Sequence, residues 1–325
     1  MKIKLIAGLL LSGFLVYLSV RGIDFQSVVR GLITIRYGYA LLFLAVAFLM
    51  QVLRSVRWGM ILRPLEKIDQ FTLFSVSNVG FLAIIAIPAR IGELARPYLI
   101  TKKSRIPMTC AVGTIFVERI FDSLGVLLIA VLTPVFTSVP PWLTRASLIF
   151  FWITIGFLTV TIFLVIKRDA LLKALNPFFC RLSEKKALLV ERLFHQFSDG
   201  LKIITDFKLL VQVSFLTVMI WLVDVAAIYI LFIAFGFNLP PAAAVVLMIV
   251  LIIGIAIPTA PGFVGNWHFF CILGLGIFGV PRPEALSFAI IYHFLSIGIL
   301  IVLGLLFLPF NQFSLSSLST RISGS

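Results

Sequence analysis

Three ionisable residues recur at every third position in the segment 88–97, Pro-Ala-Arg-Ile-Gly-Glu-Leu-Ala-Arg-Pro. Arg90, Glu93 and Arg96 would lie near one face of a short helix that begins just after the first proline. Free N–H groups at a helix start and two guanidinium groups can bind phosphate, and Gly92 allows close backbone approach. The segment therefore predicts a site for an anionic headgroup. The alternative is structural: Glu93 neutralises one arginine and Arg96 reaches an aqueous surface.

A second charged set lies inside a long apolar run, in Phe-Val-Glu-Arg-Ile-Phe-Asp. Glu118 and Asp122 are four apart and share a helix face, and Arg119 can pair with Asp122 three positions later. We expect these groups to be buried, because three charges in one apolar helix cannot all face lipid. They would form a network with Arg90 and Arg96, or one carboxylate would carry a coupling proton. Structural pairing is the preferred interpretation for Arg119.

The elements that would position these residues are two apolar helices that each stop at Ile-Ala-Ile-Pro. The tetrapeptide occupies 85–88 and again 255–258, 170 positions later. In hydrocarbon a broken helix persists only where protein or a polar cavity satisfies its backbone, and transporters place such breaks at translocation sites. The residues predicted to form the breaks or gates are Pro88, Pro258, Pro261, Gly262 and Gly265.

Composition assigns the chain to integral membrane proteins. Of its 325 residues 61% are hydrophobic and 12% charged, and the mean hydropathy is +1.15. A soluble domain would need more polar surface than this. We predict an all-α, polytopic helical bundle, with a first uncleaved apolar anchor at 3–20. Spanning runs are expected near 39–62, 110–133, 147–166, 209–235 and 285–309.

The net charge of +14 resides mainly in loops beside the predicted spans. Lysine and arginine are concentrated on one side, which by the positive-inside rule is the cytoplasm and holds both termini. The basic balance therefore indicates topology and anionic lipid, and we expect no nucleic-acid partner. The cysteines form no Cys-x-x-Cys pair and are interpreted as packing residues; they are Cys110, Cys180 and Cys271.

Further polar candidates lie in other apolar stretches. Arg54 and Arg57 precede Trp58 and fit two interpretations equally well, headgroup ligands or arginines that extend to the membrane surface beside an aromatic anchor. An isolated histidine within a membrane is more often a packing residue than a functional one. The remaining candidates for a buried ionic network or proton coupling are Asp224, His268 and His293.

The two breaks suggest an inverted repeat. Segments 71–100 and 243–280 are predicted to be re-entrant hairpins that dip in from opposite sides, each between two spans. A shift of about 170 residues brings Arg54 onto Asp224 and Asp122 next to His293. We expect one transmembrane domain over 1–310, with halves at 1–166 and 209–310. Chance similarity in an Ile/Ala-rich chain is the alternative.

The insert at 167–208 joins the halves. Apolar residues recur at helical spacing within 176–207 opposite a charged side, which predicts either an amphipathic helix at the cytoplasmic interface or a plain linker. The serine-rich tail, 311–325, is predicted to be disordered. No catalytic arrangement, phosphate-binding loop or metal-spaced ligand set is present, so we expect no cofactor and no metal, and an enzyme is the less favoured class.

Three motifs together resemble a known family. They are Ile-Pro-x-Arg-Ile-Gly-Glu-x-x-Arg-Pro at 87–97, Glu-Arg-x-x-Asp at 118–122 and Pro-x-x-Pro-Gly-x-x-Gly at 258–265. In this order they resemble the lysylphosphatidylglycerol synthase transmembrane region family, also called the flippase-like domain family. The resemblance covers nearly the whole chain. It implies a bacterial or archaeal inner-membrane protein that moves a lipid between leaflets.

The chain departs from the family pattern at the second break. The usual Pro-Gly-Gly-x-Gly followed by Glu has Phe263 at its second glycine, and His268 stands where the Glu would be. A histidine there would make the second half pH-responsive. The aminoacyl-transferase domain that bifunctional members add is missing from these residues, so we expect no aminoacylation.

The favoured function is a flippase-like translocator of an anionic lipid or lipid-linked intermediate, with membrane lipids as partners. One alternative is a membrane-embedded transferase, or an obligate subunit of one, that acts on a polyprenyl or glycolipid substrate. Another is a structural partner of a neighbouring glycosyltransferase, which predicts that the buried charges tolerate replacement.

Overall fold

The computed structural model describes residues 2–87, 92–137, 140–167, 184–257 and 260–311. Within these ranges every regular element is a helix and no strand occurs, which confirms the all-α prediction. The α-helices are α1 Lys2–Val20, α2 Phe25–Ile33, α3 Tyr37–Leu62, α4 Gln70–Ala86, α5 Ala95–Thr101, α6 Met108–Phe136, α7 Pro141–Ile166, α8 Glu184–Gly200, α9 Phe207–Phe235, α10 Pro241–Ala256, α11 Asn266–Gly276 and α12 Arg282–Asn311. Cys180 and residues 312–325 lie outside the described ranges.

Within the described ranges, four helices are long and apolar enough to cross a membrane: α3, α7, α9 and α12. Helices α1 and α2 meet at 87° and would make a fifth span if they act as one. Helix α6 has 29 residues and carries the charged set of Glu118, Arg119 and Asp122. Large apolar side chains cover the outer surface, as expected where lipid replaces water; on α7 they include Ile149, Trp152 and Phe157.

Both apolar helices end where the repeated tetrapeptide predicts. Helix α4 ends at Ala86 and α10 at Ala256, and the caps Ile87 and Ile257 are extended, with φ/ψ of −101°/121° and −74°/123°. With 17 and 16 residues these helices are shorter than the roughly 20 needed to span a bilayer. That the hairpins are re-entrant stays a prediction. Pro88 and Pro258 lie outside the described residues.

The helix after the first break begins later than the charge spacing predicts. Residues 92–94 form a 3₁₀ turn, and the α-helix starts at Ala95. Pro97 has no N–H and its ring would clash with the carbonyl four residues earlier, at Glu93, so the α-helix cannot extend back through that residue. Glu93 and Arg96 therefore do not share one α-helix, and Arg90 lies outside the described residues.

The contacts between helices follow a repeated pattern. Helix α3 packs along α9, while α4 packs against α12 and α10 against α6. Within each half, α3–α4 and α5–α6 contacts have counterparts in α9–α10 and α11–α12. Each broken helix therefore packs against the long helix that follows the break in the other half, α12 for α4 and α6 for α10, as expected of two related units around a shared axis.

The insert helix α8 packs closely against α6 where Gly200 of α8 meets Gly113 of α6. A Cβ on Gly113 would meet the carbonyl oxygen of Phe197 at 2.7 Å, and one on Gly200 would lie 2.9 Å from Gly113 Cα. Half of α8 is thus fixed to the bundle, whereas Leu188 and Leu189 near its start are exposed. A 3₁₀ turn at Lys202–Thr205 follows α8, and residues 176–183 of the predicted amphipathic segment lie outside the described ranges.

Candidate functional site

A cavity of about 480 Å³ lies between the two halves. Helices α3 and α6 of the first half and α9, α10 and α12 of the second line it, with α7 on one side. Both the repeat interface and the space between bundle helices are places where membrane proteins bind ligands. The cavity is therefore the candidate site.

The charged side chains are gathered at one end of this cavity. They come from three helices and are Arg54 and Arg57 of α3, Glu118, Arg119 and Asp122 of α6, and Asp224 of α9. All six were candidates from the sequence, and helix spacing explains the grouping, since residues three and four apart share a face. The structure thus brings residues of both halves into one site.

The opposite end of the cavity is apolar. On α3 the lining changes from Phe43, Ala47 and Met50 to the two arginines at 54 and 57, and on α6 it changes from Asp122 to aliphatic residues beyond it. The fourteen-residue separation along α3 corresponds to about 21 Å at 1.5 Å per residue. The cavity is therefore elongated and amphipathic, with charge at one end and apolar side chains at the other.

Arg96 lies behind the charged end and does not line the cavity. Its side chain is 1% exposed, and its two terminal nitrogens donate to the two oxygens of Glu118 at 2.8 and 3.0 Å. The guanidinium stacks over the Trp58 ring at 4.3 Å and the Phe81 ring at 5.3 Å. A Cβ on Gly80 would overlap its side chain. Arg96 therefore does not extend to the membrane surface, and Glu118 is its bidentate partner.

Arg57 forms the second strong pair of the network. Its Nη1 donates to Asp122 Oδ1 at 2.5 Å and to the Thr217 hydroxyl at 3.1 Å, and Glu118 lies 3.7 Å from its Nη2. With 1% of its side chain exposed, Arg57 is fixed inside the bundle and does not reach an aqueous surface. The charges alternate from Arg96 through Glu118 and Arg57 to Asp122, so each buried charge is compensated by a neighbour.

Arg119 is held more loosely and is accessible. Its nearest carboxylate oxygens, on Asp122 and Glu118, are 3.5 and 3.7 Å away, and 46% of its side chain is exposed. Glu93 also acts on it electrostatically. The expected Arg119–Asp122 pair is therefore present but long, and the guanidinium retains hydrogen-bonding capacity towards the cavity.

Arg54 and Asp224 face the cavity from opposite halves. They interact electrostatically, yet among the described residues no ion pair within 4.0 Å or hydrogen bond involves either side chain. The Arg54 guanidinium instead lies 5.6 Å from the Phe81 ring centre. A cation and an anion that face one cavity without contact are both open to a ligand.

The second break forms part of the cavity wall. A 3₁₀ turn at Pro261–Phe263 packs against α4, and the ring of Phe263 lines the cavity. Phe263 has φ +58°, the left-handed conformation that a glycine would adopt without strain. The departure from the family pattern thus falls at a position whose backbone favours glycine.

The histidines lie at this break, outside the cavity lining. His293 Nε2 is 2.7 Å from the Gly262 carbonyl, and the His268 ring centre is 4.9 Å from that of His293. Gly265 has φ +89°, and a Cβ there would meet the Ser12 carbonyl oxygen of α1 at 2.6 Å. Gly92, at the first break, is likewise packed directly on the α4 backbone. These two glycines permit close packing.

Asn266 was not a candidate from the sequence. It is fully buried, and its Nδ2 donates to the carbonyls of Gly254 and Ile257 at 2.9 Å each, which satisfies the end of α10. Its position, directly after Gly265 and 170 residues beyond Arg96 (266 − 96 = 170), could have indicated it.

Sequence reasoning also missed three cavity-lining side chains that carry unpartnered polar atoms. Among the described residues no partner is found for Gln51 Oε1, Trp221 Nε1 or Trp267 Nε1, although all three side chains line the cavity. Gln51 lies one turn before Arg54 on α3, so the two share a helix face, and this spacing could have identified Gln51 from the sequence. These atoms give the cavity hydrogen-bonding capacity beyond its charges.

No group of three or more potential metal ligands occurs within the described ranges.

Comparison with known proteins gives one family and several relatives. The chain matches the Lysylphosphatidylglycerol synthase TM region family over residues 5–304. A UPF0104 membrane protein of Methanocaldococcus jannaschii is 25% identical over 320 residues, covering 94% of this chain and 95% of that protein.

A second relative, a UPF0104 membrane protein of Methanothermobacter thermautotrophicus, is 23% identical over 294 residues, covering 86% of this chain and 87% of that protein. No solved structure matches the chain significantly. Because the family match extends over most of the sequence, it includes all three motifs and both halves of the bundle. The chain belongs to the lysylphosphatidylglycerol synthase transmembrane region family.

Proposed function

We propose that this protein moves an anionic lipid between the leaflets of a membrane, with the headgroup in the charged end of the cavity. The main support is the uneven lining of that cavity, which has its charged groups gathered at one end and mainly apolar side chains along the rest of its length. A lipid has the same division between a charged head and apolar chains.

The guanidinium groups available to a headgroup are Arg54 and Arg119. Arg54 forms no ion pair among the described residues, and Arg119 is 46% exposed with only long contacts to its carboxylates. A guanidinium binds phosphate oxygens through a planar set of N–H donors. Arg57 pairs with Asp122 and Arg96 pairs with Glu118. We therefore assign these two arginines a structural role, in which they hold the carboxylates in place.

The position between the halves supports movement as well as binding. Transporters with related halves expose a central site to alternate sides by rocking one half against the other. Here the cavity wall includes helices from both halves and the turn at the second break. We assign the breaks as the gates. We also propose that the protein resides in a prokaryotic inner membrane with cytoplasmic termini, which the family and the charge distribution support.

The test is translocation in proteoliposomes. Purified protein is reconstituted with fluorescent phosphatidylglycerol, and the labelled lipid that reaches the opposite leaflet is measured with an impermeant quencher. Arg54→Gln should lower the rate by about tenfold, the equivalent of one lost charged contact. Arg192→Gln, on the exposed side of α8, is the matched control and should behave as wild type. Equal rates for wild type and protein-free vesicles would overturn the proposal.

A further inference from the structure

We propose that Asp224 is a proton-binding site that couples headgroup binding to proton uptake, an inference that rests on the lipid-translocating function proposed above. Its basis is a difference between the three cavity carboxylates. Glu118 accepts two hydrogen bonds from Arg96, and Asp122 accepts one from Arg57. Protonation of either would break a buried charge pair, which is costly. Asp224 has no such pair within the described part of the chain.

The surroundings of Asp224 determine what a proton does there. Helix α9 packs against α3, α6, α10 and α12. The ionisable groups facing the cavity from these helices are Arg54 and Arg57 on α3, Glu118, Arg119 and Asp122 on α6, and Tyr292 on α12. The described part of α10 contributes apolar side chains only. Since Arg57 and Glu118 are paired elsewhere, Arg54 is the principal counter-charge of Asp224.

Arg54 therefore has two alternative anions. With Asp224 ionised, its carboxylate balances the charge of Arg54 and repels an incoming phosphate. With one oxygen of Asp224 protonated, Arg54 is left without a counter-charge and attracts the headgroup. Taking up one proton together with one singly charged headgroup leaves the total charge of the cavity unchanged, which a low-dielectric environment favours.

The same exchange makes movement directional. A proton taken from water on one side forms the O–H bond of Asp224, and the headgroup binds Arg54. When the site opens to the other side, the proton returns to water there, the carboxylate regains its charge and the headgroup is expelled. Lipid movement would then follow the proton gradient, one proton for each singly charged lipid.

The experiment measures phosphatidylglycerol retained by detergent-purified protein, by native mass spectrometry, from acidic to mildly alkaline buffer. Wild-type retention should fall about tenfold as the pH rises, because the carboxylate then competes for Arg54 and repels the lipid. Asp224→Asn should remove the dependence and retain the lipid throughout. Glu284→Gln, an exposed carboxylate in the first turn of α12, is the matched control and should follow wild type.

Two further measurements keep the proposal testable if Asp224→Asn folds poorly. Asp224→Glu preserves the carboxylate and should preserve the pH dependence. Adding phosphatidylglycerol to wild type in weakly buffered solution above the transition should take up about one proton per lipid bound, as charge balance requires. Binding without proton uptake, or the same pH dependence in wild type and Asp224→Asn, would overturn the coupling alone. No retention at any pH would overturn the anionic-lipid function itself.

Discussion

The two helix breaks are followed by polar residues that make different interactions. Arg96 and Asn266 occupy corresponding positions, 170 residues apart, and both are buried just after a break. Asn266 donates to two carbonyls at the end of its own broken helix. Arg96 instead reaches away from its break to pair with Glu118 on α6. At the second break Asn266 thus stabilises the end of its helix through neutral hydrogen bonds. At the first break Arg96 instead joins a network of buried charges.

This difference explains where ligand chemistry can occur. A neutral amide that satisfies two carbonyls completes a local fold and leaves no charge for a ligand. The first half buries several charges, most of which pair with one another. Arg119 makes only long contacts with its carboxylates, and Arg54 forms no ion pair among the described residues, so both guanidinium groups can bind a ligand in the cavity. The second half contributes mainly apolar wall, with Asp224 as its charged contribution among the described residues.

The largest expected effect is the loss of stability on replacing Arg96, which follows the first break. Arg96→Met keeps the length of the side chain but leaves Glu118 buried without its bidentate partner, which should cost about 3–5 kcal/mol. The check is the thermal unfolding midpoint of the purified protein in detergent, with Arg119→Gln as the control because that side chain is 46% exposed. Similar midpoints for the two variants would contradict the network as described.

Replacing Asn266, the corresponding residue after the second break, should lower the free energy of unfolding by less. Asn266→Leu is similar in size but leaves the carbonyls of Gly254 and Ile257 without their donor. We expect a loss of about 1–3 kcal/mol, measured by the same unfolding midpoint. A loss larger than that of Arg96→Met would reverse the comparison between the two breaks.

A third variant tests how tightly Arg96 is held. Gly80→Ala introduces a Cβ that overlaps the Arg96 side chain and should destabilise the protein by about 1–3 kcal/mol. Gly298→Ala is the matched control, since no neighbouring atom lies within 4 Å of a Cβ there. That control should be neutral or stabilising by up to about 1 kcal/mol. Equal unfolding midpoints would show that the space around Arg96 is not restricted.

The smallest expected effect is at His268. Its ring faces His293 and does not line the cavity, so His268→Gln should leave the pH profile of lipid translocation within about twofold of wild type. The sequence alone had suggested that this histidine makes the second half pH-responsive. A flattened profile in His268→Gln would restore that interpretation and assign the pH dependence to the second break.

Local chemistry explains which predictions came from sequence. The ends of α4 and α10 were predictable because proline terminates a helix at the preceding residues. The charged cluster was predictable because unpaired charges are costly in an apolar bundle. The partner of Arg96 was not, since Glu93 is near in sequence while Glu118 is brought close by packing of α5 on α6. Asn266 was missed because a neutral amide, unlike a charged group, does not by itself mark a site in an apolar segment.

The most direct test of the central claim is a cryo-EM map of the protein in nanodiscs that contain phosphatidylglycerol. We expect lipid-shaped density in the cavity, with the phosphate within hydrogen-bonding distance of Arg54 or Arg119 and the chains along the apolar lining of α3. A cavity that contains only solvent density, or a headgroup bound at a different surface, would contradict it.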